Sequence, residues 1–555
     1  MNGDDALRAN NDDASRLSNR NVSRRQFLAA LAVAPMLSAC TSGDSGKSPT
    51  NRTPSLIGLS RKTNRVVAGG FVEDDSTVGH QLRSGKPFAA AREHRKTSVA
   101  IVGGGMGGLS AGWRLDALGV RDWLMLELAS EPGGNSRSGQ NEISRYPWGA
   151  HYVPVPGKNA THVRQLFREL GLLDENGKWD ERTLCHSPQE RLWQHGHWHD
   201  GLEPDDGATK SDREEFARFT SIVNDWRATG AFKIPMADVS LRQLPDKLRA
   251  SLNSLDAQSA ASWFASQNFK SPALHWWLEY GTRDDYGASL TQASAWAAIH
   301  YFAGRGTEEQ GPLTWPDGNG WIARQLASRA GDRIITDAPA YHIERRGTKW
   351  LVRTPAMDVT CDVVIWAAPL FVLPHVVSTV RLPIETEYSP WLVANITIEQ
   401  WPDERGASPA WDNVIYDSPS LGYVVATHQN LGDIGPRSVW TWYHAVVDRS
   451  ANDGRIMLHD QPWSAWRDYI LDDLARAHTN IRDVVSRIDV KRWGHAMARP
   501  VPGVLGRMQT LRDWQPAPQL FVAHADMTGY SIFEEAQWHG VTAANSAAKI
   551  VGGKS

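Results

Sequence analysis

The run Ser98-Val-Ala-Ile-Val-Gly-Gly-Gly-Met-Gly-Gly-Leu-Ser110 constrains this chain more than any other stretch. Its apolar residues predict a strand ending at Val102. The strand enters glycines with G-x-G-x-x-G spacing (Gly103, Gly105, Gly108), and a helical pattern follows to about Leu118. Asp122-Trp-Leu-Met-Leu-Glu127 reads as a second strand ending in a carboxylate. Gly103 permits a tight turn, Gly105 lets backbone approach a pyrophosphate, and Gly108 allows close helix–strand packing. The helix N-terminus then offers unpaired N–H groups to the anion. Glu127 lies nineteen residues beyond Gly108, where an acid accepts hydrogen bonds from ribose hydroxyls; this suits an adenosine without a 2′-phosphate. A glycine fingerprint alone is weak. With strand, helix and terminal acid in place it points to a bound dinucleotide rather than a ligand-free glycine turn.

At 555 residues the chain exceeds one ordinary core, so two or more domains are expected. The net charge of −3 gives no footprint for nucleic acid. Tryptophan is abundant, 25 residues against 13 Phe and 12 Tyr; many must be buried, and some are expected to line a cavity. The three cysteines, Cys40, Cys185 and Cys361, show neither metal spacing nor a disulfide framework, and no metal is expected. Cys361 opens an apolar strand pattern and reads as a buried structural thiol.

The N-terminus reads as an export signal. Ser23-Arg-Arg-Gln-Phe-Leu28 has the twin-arginine form, and Phe27 to Leu37 is an apolar segment too short to span a bilayer. Leu37-Ser-Ala-Cys40 resembles the lipobox of bacterial lipoproteins, which implies lipidation of Cys40. The expected partners are therefore the twin-arginine export machinery, the membrane through a lipid anchor only, and a small-molecule substrate. The expected location is the periplasm or cell envelope. That route carries folded proteins, which fits a dinucleotide acquired before export. No other stretch approaches eighteen uninterrupted apolar residues, so no spanning helix is expected in the mature chain. Residues 41 to about 60 read as a flexible tether. The stretch 66–96, with its string Gly69-Gly-Phe-Val-Glu-Asp-Asp-Ser, is expected on the folded body, without an evident role.

Beyond Glu127, Glu131-Pro-Gly-Gly-Asn-Ser-Arg-Ser-Gly139 supplies a second glycine pair, Gly133-Gly134, suited to the other side of the pyrophosphate, with Arg137 to neutralise it. Trp148-Gly-Ala-His-Tyr152 offers small residues, Ala150 among them, along which a flat ring can lie. With these pieces the sequence resembles the flavin-containing amine oxidase superfamily, which includes monoamine and polyamine oxidases, protoporphyrinogen oxidase and phytoene desaturases. Later stretches resemble it too: Trp315–Leu326, Ile334–Ile343, Asp362–Pro369, Leu520–Asp526 and Glu534–Asn545. The resemblance implies noncovalent FAD. It puts Ala340 at the adenine, Asp526 by the ribityl–pyrophosphate, and Ala536 in a last helix whose N-terminus faces the flavin and favours negative charge on it. It also implies an α/β fold: a Rossmann-like FAD-binding domain (97–160, 311–380, 510–553) interleaved with an α+β substrate domain (161–310, 381–509).

The sequence departs from the family at several points. The usual Arg after the glycine pair is Asn135, with Arg137 as the nearby substitute. Many members carry a Lys near Trp391–Thr397 that holds a water against the flavin N5. Ala394 and Asn395 stand here instead, which argues against rapid reaction of reduced flavin with oxygen. The tethering cysteine has no counterpart near Gly529-Tyr530.

Flavin dehydrogenation needs a positioned C–H bond but no obligatory base, so no triad is required. His151, beside Ala150, is a catalytic candidate or a histidine hydrogen-bonded to FAD or backbone. Tyr530 is a ring facing the flavin or a packing residue. Asp284 and Asp285, with Tyr286, bind a cationic amine or form a solvated or capping pair. Tyr152, His300, His524 and His539 complete the candidates, with His539 and Trp538 favoured for packing. The leading reading is an exported FAD-dependent oxidoreductase taking hydride from a small organic substrate, first an amine. A desaturase or isomerase on an apolar substrate, and a noncatalytic FAD-binding partner protein, stay open. The cavity discriminates between them: acidic and aromatic for amines, a long dry tunnel for lipids, filled for a structural role.

Overall fold

The structure, a computed structural model, describes residues 66–72, 76–305, 311–430 and 435–552. The signal, Cys40 and the tether lie outside the described residues. The elements used below begin, in chain order, with β1 (Ala68–Phe71), β2 (Glu93–Val102), α1 (Met106–Ala117), β3 (Trp123–Leu126), β4 (Glu190–Gln194), β5 (His197–Asp200), α2 (Pro272–Tyr286), α3 (Ala295–Ala303) and α4 (Gly320–Ala330). They continue with β6 (Ile334–Ile335), β7 (His342–Arg346), β8 (Lys349–Arg353), β9 (Met357–Trp366), β10 (Tyr388–Ile398), β11 (Asp412–Ile415) and β12 (Tyr423–Val425). Last come β13 (Ser438–Ala445), β14 (Val485–Ala498), β15 (Leu520–Val522) and α5 (Phe533–Val551).

The fold is mixed α/β around two sheets. In the first, the strand order is β6-β3-β2-β9-β8-β7, and β15 pairs with β9. The pairs of β2 with β3 and β9, of β6 with β3 and of β15 with β9 are parallel; β7, β8 and β9 form an antiparallel meander. β2 is central and its apolar end is buried on both faces, which is why Val99 to Val102 read as an unbroken apolar run. Val99 and Ile101 meet α1 and α5 residues such as Leu109 and Ala544. Ala100 and Val102 meet the opposite core with Val352 and Val364. The strand begins five residues before Ser98, because exposed Glu93 to Lys96 continue the ladder with β9 from Met357 onward.

The second sheet runs β1-β14-β10-β13-β12-β11-β4-β5. β10 shows the period of two: Leu392, Ala394 and Ile396 face one core, while Trp391 and Val393 face the other. Part of the stretch 66–96 finds a place here: β1 pairs in parallel with β14 at the sheet edge. Gly69 has φ +129°, and a Cβ there would stand 1.9 Å from the Ile488 carbonyl oxygen, so close backbone approach explains that glycine. Buried tryptophans supply much of the core bulk: Trp123, Trp198, Trp296, Trp350, Trp366, Trp440, Trp442 and Trp466 are fully enclosed. Cys361 lies within β9 and is buried, which pushes its thiol up to about 12. No helix among the described residues is long and apolar enough to cross a membrane.

Candidate active site

The glycine run forms the turn between β2 and α1. Gly103 has φ +107°, and a Cβ on it would stand 2.8 Å from the Ala367 backbone carbon. A Cβ on Gly108 would stand 2.0 Å from the Gly103 carbonyl oxygen. Packing therefore demands both glycines. Gly105 is different: a Cβ there would meet nothing within 4 Å. It is the N-cap of α1 and no side chain caps that end. An uncapped N-terminus facing open space, with glycine where the protein does not require it, is the cradle an anion would fill.

The second glycine pair closes onto the first. Gly133 N–H donates to the Gly104 carbonyl at 2.8 Å, and Gly134 lies against the Gly105 Cα. The Glu127 carboxylate accepts from the Gly104 N–H and, at 2.9 Å, from the Ala129 N–H. Beyond the pair, Ala150 N–H donates to the Asn135 carbonyl at 2.8 Å, and Asn135 Nδ2 donates to the Ala496 carbonyl on β14 at 2.6 Å. Asn135 thus straps the glycine loop to the second sheet. The C-terminal elements arrive at the same place. A Cβ on Gly107 would stand 1.9 Å from the Ala523 carbonyl oxygen, and one on Gly540 of α5 would stand 2.3 Å from the Gly107 carbonyl oxygen. Ala536 lies at the same α1–α5 contact, its carbonyl facing Gly107.

A cavity of about 160 Å³ begins at Asn135, Gly149 and Ala150 and extends toward the second sheet. Tyr152, Tyr280, Trp391, Tyr423, Tyr443, Trp493 and Phe533 form its aromatic walls. Four carboxylates reach its lining, Asp284, Asp285, Asp412 and Glu534, against one guanidinium, Arg305. Arg305 is ion-paired with Asp285 and lies 4.5 Å from the centre of the Tyr301 ring. Ser531 to Glu534, at the N-terminal end of α5, line the cavity too, so the positive end of that helix dipole borders it. The Tyr443 hydroxyl donates to the Gly149 carbonyl at 2.9 Å. Burial, reinforced by the charges of Asp412 and Asp284, raises its pKa well above the usual range and keeps it a neutral donor.

The match to known proteins agrees with this geometry. The family model for flavin containing amine oxidoreductases matches residues 106–548. The chain belongs to that family. A curated relative, amine oxidase [flavin-containing] B of Bos taurus, is 23% identical over 266 residues, 47% of this chain and 47% of its own length. The chain thus spans about half of the curated relative it matches. Among solved structures, putrescine oxidase bound to putrescine has a TM-score of 0.59 at 16% identity, covering 83% of this chain and 100% of its own. Cyclohexylamine oxidase from Brevibacterium oxydans IH-35A has a TM-score of 0.61 at 14% identity, over 82% and 99%. A fatty acid isomerase from P. acnes has 0.59 at 15% identity, over 81% and 98%. At these identities the likeness is one of fold.

For a flavin amine oxidoreductase, the placement of the sequence candidates is uneven. His151, Tyr152, Asp284 and Asp285 line the cavity. His151 packs at 4.7 Å from the Tyr443 ring and 5.5 Å from Trp411. Tyr286 and Tyr530 do not line it. Their rings meet edge-on at 5.3 Å, Tyr530 also packs on Trp296 and His300, and both are about 1% exposed. Of the alternatives for these two tyrosines the geometry favours packing: both sit behind the cavity wall, in the core with α3. His300 is a core histidine bonded to the Lys233 carbonyl at 2.9 Å. His539 is buried, which lowers its pKa to about 3.

Asp526 follows β15 and is 1% exposed. It accepts from the Leu370 N–H at 2.9 Å and the Tyr388 hydroxyl at 2.6 Å. Burial opposes its charge, but His524 beside it and the Tyr388 hydroxyl hold the carboxyl below the usual range. Ala340 is buried in the core beneath β2 and β3. The Arg137 guanidinium lies 5.7 Å from the centre of the Trp493 ring.

Sequence reasoning missed Asp412, Tyr443, Trp391 and Trp493 on their strands, and Arg305 just beyond α3, as cavity residues. It also missed a lysine. Ala394 points into the core away from the cavity, and Asn395 is locked by bonds to the Pro147 carbonyl at 3.0 Å and from the Thr441 hydroxyl at 2.7 Å. Lys491 of β14 stands opposite Val393, a cavity residue. Antiparallel partners share a face, so Lys491 is a buried cation on the cavity side of the sheet, its Nζ 5.2 Å from the centre of the Trp493 ring.

Proposed function

We propose that this protein is an exported, lipid-anchored, FAD-dependent oxidoreductase that dehydrogenates a small amine. The observation that carries the amine reading is the cavity lining: four carboxylates against one guanidinium, enclosed by aromatic rings beside the glycine loops. A cation gains from the carboxylates and from the ring faces. An apolar tunnel for a lipid would hold no such surplus of acid.

The residues that would hold FAD are Gly105 and the N-terminus of α1 for the pyrophosphate, Glu127 for the ribose, Gly133, Gly134 and Arg137 across the pyrophosphate, and Gly149-Ala150 along the ring. Asp526, Ala340 and Ala536 are assigned to the same group by resemblance. Bound FAD supplies the hydride acceptor. It is noncovalent: Cys185 and Cys361 are buried and neither lines the cavity. Asp412 and Asp284 bind the ammonium and orient the adjacent C–H bond. Tyr443 and His151 form the wall that excludes water. The N-terminus of α5 favours negative charge developing at the cavity floor. Lys491 would supply a buried cation on the cavity side of that sheet.

The test is anaerobic bleaching of the flavin band, roughly at 450 nm as a property of the cofactor, by a panel of mono- and diamines. Bleaching by an amine is expected. Flavin-loaded protein that no amine bleaches, but that an unsaturated fatty acid does, would replace the amine reading with the lipid one.

A further inference from the structure

Outside the cavity lining, the β4–β5 hairpin gathers histidines at one end of the second sheet's strand order. Its two-residue turn is His195-Gly196, with φ of 51° and 88°. Such turns favour Asn, Asp or Gly at the first position, so a histidine there is held at a conformational cost. His197 and His199 follow at i and i+2 and therefore share one face of β5. Their ring centres are 4.0 Å apart. The loop beyond β5 returns Asp206 to the same face: its Oδ2 lies 3.4 Å from His199 Nε2 and 2.7 Å from His195 Nδ1. One ligand atom from each of His197, His199 and Asp206 falls within 4.8 Å of the others.

We propose that His197, His199 and Asp206 bind a divalent transition ion of the zinc type, with His195 hydrogen-bonded to the same carboxylate oxygen that faces His199. The donor set is two imidazoles and one carboxylate, which suits Zn²⁺. Neighbouring ligands around tetrahedral zinc stand roughly 3.3 Å apart, a spacing that rotation of these partly exposed side chains reaches. The His195–Asp206 hydrogen bond fixes the carboxylate in the manner of an outer-shell partner. Asp200, Asp205 and Asp206 supply negative charge within residues 192–209, which Arg191 and Lys210 bound; Glu203 adds none at neutral pH, because burial pushes its carboxyl up to about 8. An ion here would fasten the 201–209 loop to β5, whose backbone at Trp198 is already paired with residues 405–407. The sequence reading looked for metal in cysteine spacing, where this site leaves no sign.

The test uses the folded full chain without a polyhistidine tag, stripped of metal and titrated with Zn²⁺ by calorimetry at pH 7.5. One ion per chain is expected, with affinity falling at least tenfold in His199→Ala and in Asp206→Ala, and less in His195→Ala. Absence of binding, or binding that none of these variants weakens, overturns the site. A second measurement needs no variant: Zn²⁺ should protect His197 and His199 from diethylpyrocarbonate, read by peptide mass. Equal modification with and without Zn²⁺ overturns it as well. Neither readout involves the flavin cavity.

Discussion

The Gly133 N–H donates to the Gly104 carbonyl at 2.8 Å, which joins two glycine loops separated in sequence by a helix and a strand. Around this bond the glycines divide into those packing requires and one, Gly105, that it does not. Gly105→Ala is therefore expected to fold with the thermal stability of the flavin-free wild type and to purify largely without flavin. Gly540→Ala should do the reverse and lower stability by roughly 1–3 kcal/mol through overpacking against α1. The ratio of flavin absorbance to protein and a thermal melt separate the two. An alanine at 105 that retains full flavin would remove the pyrophosphate cradle.

Asp412→Asn and Asp284→Asn should each weaken amine binding. A hydrogen bond to a charged group contributes about 1.5–3 kcal/mol, so the substrate concentration for half-maximal flavin reduction should rise roughly 10- to 100-fold. Flavin content should stay unchanged. Stopped-flow reduction against amine concentration gives the answer.

Lys491→Met keeps the length of the side chain and removes its charge. Reoxidation of the reduced flavin by oxygen should slow roughly tenfold, about 1.4 kcal/mol in the barrier, while reduction by amine changes little. Equal reoxidation rates would show that the charge has no part in the step.

Three buried histidines predict acid lability. Burial lowers His300 and His444 to about 4 and His478 to about 3. All three stay neutral in the fold, bonded to the Lys233 carbonyl, the Pro419 carbonyl and the Tyr423 hydroxyl. Unfolding exposes them to protonation near 6.5, so their stabilising contribution is present above that pH and is lost as the pH falls toward 4. Each contributes a slope of about 1.4 kcal/mol per pH unit once the unfolded state is protonated. Glu535 works in the opposite direction: burial pushes its carboxyl up to about 7, so its contribution is present below 4.5 and is lost as the pH rises through 7. Urea midpoints between pH 7.5 and 4.5 should show a steep net loss on acidification. Histidine-to-phenylalanine changes at these positions should flatten that slope.

How much of the site was legible depended on whether backbone or side chains build it. The glycine turn, Glu127, the second pair and the helix of Glu534 to Asn545 are local strand–turn–helix units whose residue types follow from their own geometry, and each could be read in place. Tyr530 and Tyr286 could not, because a tyrosine facing a cavity and one packed behind its wall look alike until neighbouring elements are set. Asp412 and Tyr443 were invisible for the same reason: each lies on a strand buried on both faces, whose residue order does not show which side chain borders empty space.

The sequence by itself determined the glycine turn, the acid that ends β3 and the fold class, because these rest on short-range sterics and on the period of apolar residues. Only the tertiary structure decided what the chain can do with them. Register between β10 and β14 places Lys491 opposite Val393, and the return of the 201–209 loop places Asp206 beside His199. Both pairings join residues whose partners are chosen by sheet packing, which no local spacing records.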